Sequence, residues 1–350
     1  MRALYYDGAG GLEWRDDPAP TLEAATDALV RPVAVTTCDL DQAVIRGALP
    51  GTEQPYPIGH EGVGEITEVG SAVTNVAPGE LVVIPYHISC GSCDRCARGM
   101  PLFCRVATTD GQAGYGTPFG RDYGGMFSEL IRVPFAAHSL VPLPHGVTPL
   151  QAVSAGDNLT DAWRTIVPHL EERPGSDVLI MSTCATGLLA ADIARACGAR
   201  RVRYVDRDPM RLGLADTLGV ETSMLEDFSP DEHEYEITLN ATDSRTALRN
   251  AVLATGPGGH CESMAFHFNE VPMPLLAMHL KCVHFRSSLC NARPDIPAVL
   301  RLLSSGRINP ELIRTDLLAF DMADEMLSAG SKPVFVAEPV GVSAGKPASR

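Results

Sequence analysis

The sequence has little positive charge and no long uninterrupted hydrophobic run. Its 28 lysines and arginines face 43 aspartates and glutamates, which gives a formal net charge of −15 at pH 7. This acidity argues against a nucleic acid or an anionic membrane as the binding partner. The most apolar stretch, residues 178–196, is interrupted by Asp192 and Arg195, which argues against a membrane span.

No export signal is visible either, because the first residues pass directly into a strand-like pattern. Ten cysteines in such a chain indicate metal sites or free thiols rather than disulfides. The sequence accordingly predicts a cytoplasmic protein. Its 350 residues exceed what one core usually spans, so we expect two domains.

The pattern of the chain changes near residue 150. Before that point, short apolar or alternating runs are bounded by glycine and proline, which indicates a β-rich region. From residue 177 onward, strand candidates at 178–181, 202–205, 237–239 and 283–285 alternate with helices such as 187–197 and 208–218. This alternation predicts a parallel sheet covered on both faces, and therefore an α/β protein. A glycine-rich loop is expected at 110–125.

Four cysteines form a compact cluster in the β-rich region. Cys90, Cys93, Cys96 and Cys104 have the spacing C-x2-C-x2-C-x7-C. Four thiolates this close in sequence can complete a tetrahedron around zinc and leave no open position, which is typical of a structural site. An iron–sulfur cluster and reduced cysteines without metal are the alternatives. We favour structural zinc.

A second potential metal site centres on residues 57–65, Pro-Ile-Gly-His-Glu-Gly-Val-Gly-Glu. His60 is a candidate ligand with Glu61 beside it, and Cys38 lies 22 residues earlier. Asp41 can accept the free N–H of His60 and fix its tautomer. Asp157 is a candidate third ligand, and a Cys–His–carboxylate set leaves a fourth zinc position for water or substrate.

The residues alone leave other interpretations of these side chains open. A histidine in an apolar setting is often a hydrogen-bonded core residue. Cys38 can be a buried free thiol. Asp157 can be the N-cap of a helix that starts at residue 158.

Taken together, the Gly59–His–Glu–Gly–Val–Gly64 motif, Cys38, the four-cysteine cluster and the strand–helix alternation resemble the zinc-dependent medium-chain alcohol dehydrogenase family. The resemblance covers residues 1 to about 337. It implies that Cys38, His60 and Asp157 bind a catalytic zinc, with Glu61 close behind it. It also implies that Cys90, Cys93, Cys96 and Cys104 bind a structural zinc.

The same resemblance implies a domain organisation and an activity. We expect a GroES-like zinc catalytic domain at 1–150, completed by 292–338, a Rossmann dinucleotide-binding domain at 151–291, and a disordered tail at 339–350. The expected reaction is hydride transfer between an alcohol or carbonyl substrate and NAD(P), with zinc polarising the substrate oxygen. Homodimers or homotetramers are expected.

The nucleotide-binding residues depart from the family pattern. Ser182, Cys184 and Gly187 occupy the three positions of G-x-G-x-x-G, so Cys184 is expected to crowd the pyrophosphate. Thr183 and Thr186 can offer hydroxyl contacts instead, and the N-terminus of the helix still favours an anion. Thr160 is expected near the nicotinamide.

Asp206 lies 19 residues after Gly187, where the family binds the adenine ribose diol. The alternative for Asp206 is a solvated carboxylate at the end of a strand. Arg207 can tolerate a 2′-phosphate, and we favour NAD over NADP.

Two acid–base positions also differ from the family. Leu40 stands two residues after Cys38, where the family commonly has a serine or threonine that relays the substrate proton. Glu61, Asp39 or a water molecule would have to replace that hydroxyl. Asp161 stands where the family usually has a small or uncharged residue, and it is either a surface carboxylate or a substitute acid–base group.

These departures leave two further functions open beside the dehydrogenase. A zinc enzyme on this scaffold that has lost nicotinamide binding can catalyse non-redox elimination, cyclisation or hydration. A scaffold protein is the third possibility, and the intact ligand set argues against it. Loss of two loop glycines favours the non-redox enzyme, whereas Asp206 and the strand–helix alternation favour the dehydrogenase.

Overall fold

The computed structural model describes residues 1–48, 54–107, 113–116, 123–313, 316–326 and 332–337, without the side chains of residues 312 and 326. The expected tail at 339–350 and part of the expected loop at 110–125 lie outside these residues. Within the described ranges, none of the helices combines the length and the apolar character that crossing a membrane requires.

The chain divides into two compact units. Unit 1 comprises residues 1–143, 148–153 and 314–350, and unit 2 comprises residues 144–147 and 154–313. The segment 292–313, which we expected in the first domain, lies in unit 2. It does so because the helix Ala292–Ser304 buries Ile296, Val299 and Leu300 and contacts the helix Asn158–Glu172 of the same unit.

Unit 1 is built from two mainly antiparallel sheets. One has the strand order β2-β1-β4, and the other has the order β15-β16-β3-β5-β6-β8, with β7 also paired to β3. Numbered in chain order, the elements of unit 1 are β1 Arg2–Tyr6, β2 Leu12–Asp16, β3 Ala28–Thr36, α1 Asp39–Ile45, β4 Tyr56–Pro57, β5 Glu61–Val69, β6 Leu81–Ile84, α2 Asp94–Ala97, β7 Ile131–Val133, α3 Ala136–Ser139, β8 Val141–Pro142, α4 Pro149–Ala152, β15 Leu317–Ala319, α11 Ala323–Met326 and β16 Val334–Val336.

The start of β5 is fixed by a glycine and by strand pairing. Gly59 has φ +97°, and a Cβ there would lie 2.5 Å from the ring of Phe127, so only glycine fits. From this turn, β5 pairs antiparallel with β3, and Glu61 lies opposite Thr36. The carboxyl end of β3 and the start of β5 therefore lie side by side.

Unit 2 contains one six-stranded parallel sheet with the order β11-β10-β9-β12-β13-β14. This is the strand order of a dinucleotide-binding Rossmann sheet, with its switch point between β9 and β12. The predicted α/β class is confirmed. Its elements are α5 Asn158–Glu172, β9 Asp177–Ser182, α6 Ala185–Ala196, β10 Arg201–Asp206, α7 Pro209–Thr217, β11 Glu221–Met224, β12 Tyr235–Ala241, α8 Arg245–Ala254, β13 Thr255–Ser263, α9 Leu275–Lys281, β14 His284–Ser287 and α10 Ala292–Ser304.

Candidate zinc and nucleotide sites

Cys38 and His60 meet where β3 ends and β5 begins. Cys38 is the N-cap of α1, and its Sγ accepts the Leu40 N–H at 3.2 Å. The Asp41 carboxylate in turn accepts the Cys38 N–H at 3.0 Å, which completes a capping box. His60 Nε2 lies 3.1 Å from Cys38 Sγ. Tetrahedral zinc would hold this sulfur and nitrogen about 3.6 Å apart, so the pair fits a shared metal after a small adjustment.

Asp41 has the position that the sequence predicts for it. Its Oδ1 lies 3.2 Å from His60 Nδ1, and both side chains are 3% exposed. The carboxylate thus faces one ring nitrogen of His60 while the other faces Cys38. This is the arrangement by which a carboxylate orients a metal-ligand histidine.

Glu61 is buried and paired with a residue that the sequence reading missed. Lys332 Nζ lies 2.9 Å from Glu61 Oε2 and donates a second bond to the Thr37 carbonyl at 2.7 Å. Burial lowers the pKa of Lys332, but the charge of Glu61 outweighs it and the pKa is raised. The pairing gives Glu61 an electrostatic role beside His60 rather than that of a free proton carrier.

Asp157 belongs to unit 2, where it occupies the N-cap position of α5. Its side chain makes no capping hydrogen bond, so its position, but not its bonding, matches the capping interpretation. Instead, Asp157 Oδ2 accepts an N–H of the Asn158 side chain at 3.1 Å. Cys38 and His60 lie in unit 1, whereas Asp157 lies in unit 2.

The other two predicted residues of α5 are engaged within unit 2. Asp161 pairs with Arg164 at 2.5 Å. Burial raises the pKa of Asp161 to about 6, although Arg164 opposes the shift. The carboxyl is therefore not an ordinary surface residue. The buried Thr160 hydroxyl donates to the Ala155 carbonyl, so it is used inside the fold rather than presented to a nicotinamide.

The four cysteines of the cluster converge within unit 1. The four sulfur atoms all lie within 4.8 Å of one another. Cys93 Sγ is 3.5 Å from Cys96 Sγ and 4.0 Å from Cys104 Sγ. Tetrahedral zinc with bonds of about 2.3 Å places its sulfurs about 3.8 Å apart. Backbone N–H groups of Cys96 and Arg105 lower the pKa of Cys93 to about 6, which favours the thiolate. The cluster fits a closed tetrahedral metal site.

The nucleotide loop is closed by its own side chains. Ser182 Oγ accepts the Cys184 N–H at 3.1 Å. A Cβ on Gly187 would lie 2.1 Å from this oxygen, so Ser182 is tolerated because position 187 is glycine. Cys184 Sγ faces the Ala241 carbonyl at 3.5 Å, across the switch point, and the Thr186 hydroxyl bonds to Asn158. The Thr186 hydroxyl, which we expected to contact a phosphate, is therefore already engaged within the protein.

Asp206 is fully buried, so the alternative of a solvated strand end was wrong. Its two oxygens accept two hydrogen bonds from Arg211, at 2.7 and 2.9 Å. They also accept the Tyr204 hydroxyl at 2.6 Å and the Asp208 N–H at 2.9 Å. Arg207 is exposed. The sequence reading missed Arg211, although its place in the first turn of α7, five residues after Asp206, was the available signal.

Comparisons with known proteins find similar sequences and structures over most of the chain. The profile of the alcohol dehydrogenase GroES-like domain matches residues 24–145. A protein of Mycobacterium tuberculosis named probable zinc-binding alcohol dehydrogenase is 30% identical over 332 residues, which cover 92% of this chain and 83% of that protein. Alcohol dehydrogenase TADH from Thermus sp. ATN1 has a TM-score of 0.86 at 30% identity, covering 97% of this chain and 100% of that one.

A Cys–His pair oriented by a carboxylate, a four-cysteine cluster and a Rossmann sheet define a metal-binding, dinucleotide-dependent class of enzyme. With the comparisons, they show that the chain belongs to the zinc-dependent alcohol dehydrogenase family. It is therefore an oxidoreductase, and zinc and a nicotinamide nucleotide are its family cofactors. The resemblance seen in the sequence is confirmed.

Proposed function

We propose that this protein is an NAD-dependent zinc alcohol dehydrogenase acting on small alcohols or carbonyls. The proposal rests on the 3.1 Å approach of Cys38 Sγ to His60 Nε2, with Asp41 behind the histidine. When bound, zinc polarises the oxygen of the substrate while nicotinamide exchanges a hydride with its carbon. Cys38, His60 and Asp157 would hold that zinc, and the four-cysteine cluster would hold a second one.

The chain's own residues divide the remaining work. Asp41 fixes the ring of His60, and the α1 capping box fixes Cys38. Glu61 supplies a negative charge beside His60 that Lys332 balances. Leu40 carries no proton, so proton exchange falls to Asp39, Asp161 or a water molecule. Of these, Asp161 has a pKa raised to about 6 by burial, close to the range in which a group both accepts and releases protons.

The zinc ligands are tested by metal content together with activity. Cys38→Ala and His60→Ala should each lower zinc from two to about one per chain and abolish alcohol oxidation, because a catalytic zinc needs all three protein ligands. Cys282→Ala is the matched control, since Cys282 is exposed and outside both sites. Two zinc ions per chain in both ligand variants, measured by elemental analysis, would refute the site.

Cofactor choice is tested by titrating the zinc-loaded protein with NADH and NADPH in a calorimeter. We expect NADH to bind more tightly, because Asp206 ends β10 at the position from which an acid binds the ribose diol. The diol would have to replace one of the four hydrogen bonds that Asp206 accepts within the protein. Arg207→Ala should leave NADH binding unchanged. Preference for NADPH that disappears in Arg207→Ala would reverse the assignment. No binding of either nucleotide would support the non-redox zinc enzyme.

A further inference from the structure

Unit 2 carries a group of metal-ligand side chains that the proposed reaction does not use. His169 and Glu172 lie on α5, and His260 lies on β13. One potential ligand atom from each lies within 4.8 Å of the other two. We propose that His169, Glu172 and His260 bind a transition-metal ion, with zinc as the natural choice.

The local periodicity of two elements assembles this group. His169 and Glu172 are three residues apart on a helix and therefore share one face of α5. His260 and Glu262 are two residues apart on a strand and share one face of β13. His169 Nε2 bonds to Glu262 Oε1 at 2.9 Å, so these two faces meet.

His169 is held as metal-ligand histidines are held. An ionised carboxylate only accepts hydrogen bonds, so the contact with Glu262 places the proton of His169 on Nε2 and leaves Nδ1 as the ring's acceptor. Glu262 is 3% exposed, and Arg286 Nε donates to its other oxygen at 2.8 Å. The carboxylate that orients the histidine is thus itself fixed.

His260 presents a buried nitrogen to the same group. Its ring stacks on His169 at 4.3 Å and on His284 at 4.8 Å. Among the described residues, its Nε2 is buried without a hydrogen-bond partner, and Glu172 Oε2 lies 3.7 Å away. A buried polar atom without a partner costs free energy that a metal ligand bond would remove. Tetrahedral zinc would hold this nitrogen and oxygen about 3.4 Å apart, so a shift of a few tenths of an ångström completes the contact.

The ligand types select the metal. Two imidazoles and one carboxylate suit zinc and its neighbours rather than magnesium or calcium, which prefer oxygen ligands. Glu172 is 58% exposed, and its further ion-pair partner among the described residues is Arg173 at 3.9 Å, so the Glu172 side chain can move toward an entering ion. A fourth position remains for water.

The test consists of two separate titrations of the full-length protein, which is already loaded with its tightly bound zinc. One titration uses Zn²⁺ and the other uses Co²⁺. We expect one additional equivalent with micromolar affinity. Its cobalt spectrum should show ligand-field bands without the intense thiolate charge-transfer band, because no cysteine contributes. Glu172→Gln and His260→Gln should weaken this binding at least tenfold. His145→Gln, which changes an exposed histidine of the same unit, should bind as the wild type does.

Thermal unfolding provides the second readout. Zinc should raise the melting temperature of the wild type by several degrees, and should not do so for Glu172→Gln. Because Glu172 is exposed, this variant tests the site even where His260→Gln fails to fold. No additional equivalent, a thiolate band, or unchanged affinity in Glu172→Gln would overturn the proposal. None of these results depends on Cys38 or His60, so the proposed catalytic site stands or falls separately.

Discussion

At the scale of single residues, the sequence revealed the side chains that local spacing connects. Cys38 and Asp41 are three residues apart and form one capping box, and Asp41 faces His60 as predicted. Lys332 escaped detection because it reaches Glu61 across 271 residues of sequence. Arg211 was missed although it lies only five residues after Asp206, because this spacing alone does not distinguish a buried ion-pair partner from a surface arginine. Charge pairs of this kind become visible only when the fold is known.

The Glu61–Lys332 ion pair should stabilise the folded protein only while both charges are present. Lys332→Met leaves a buried carboxylate without its counter-charge, which should lower the free energy of unfolding by about 3–5 kcal/mol. The midpoint of urea unfolding measures this loss. Lys332→Arg keeps the charge and serves as the control.

The double variant Glu61→Gln with Lys332→Met separates charge from shape. It removes both charges, so we expect it to be more stable than Lys332→Met alone. If Lys332→Met unfolds at the wild-type urea concentration, the ion pair contributes nothing and this view of Glu61 is wrong.

At the scale of secondary structure, apolar runs located most of the elements. The strand candidates 178–181, 202–205 and 237–239 became β9, β10 and β12. β13 was missed because its sequence, Thr-Gly-Pro-Gly-Gly-His-Cys-Glu-Ser, is rich in residues that usually end strands. In unit 1, the apolar run 126–133 contributes only three residues to a strand, since only Ile131–Val133 pairs with β3. Whether such a segment forms a strand depends on its pairing with a distant strand, and the periodicity of the sequence does not show that pairing.

The turn between β9 and α6 should limit nucleotide affinity. Ser182 Oγ occupies the Cys184 N–H, and Thr183 N–H bonds to the Ala241 carbonyl at 3.2 Å, so these donors face the protein rather than a pyrophosphate. Ser182→Gly with Cys184→Gly should release the first donor and remove the side chain that crowds the loop. We expect NADH to bind about tenfold more tightly, a change of about 1.4 kcal/mol.

Fluorescence titration with NADH measures this effect, and Cys197→Ala, a cysteine at the other end of α6, is the control. Unchanged affinity in the double glycine variant would mean that the dinucleotide does not contact this turn. Weaker affinity would mean that Ser182 and Cys184 themselves hold the nucleotide.

At the scale of the whole molecule, the sequence predicted two domains and the parallel sheet of the second. It placed residues 292–313 in the wrong unit, because the amphipathic pattern of Ile296 and Val299 shows that α10 covers a core but not which core it covers. Carboxylates that pair with arginines and histidines, such as Asp177 with Arg200 and His233, make the stability of unit 2 sensitive to pH.

Asp177, at the start of β9, should link the stability of unit 2 to pH. Burial raises the pKa of Asp177, but hydrogen bonds from Arg200 at 2.9 Å and His233 at 2.8 Å outweigh it, so the pKa is lowered. A carboxyl whose pKa is lower in the folded state stabilises the fold above its unfolded pKa of about 3.9. That contribution is lost as the pH falls through the lower folded pKa.

The wild type should therefore be more stable than Asp177→Asn at about pH 5, and the difference should shrink below about pH 4. Urea unfolding at a series of pH values measures it. Asp231→Asn, which changes an exposed carboxylate in the same unit, should differ little from the wild type at any pH in the series. A difference for Asp177→Asn that persists unchanged down to pH 2 would come from packing rather than charge, and would contradict the role assigned to Arg200 and His233.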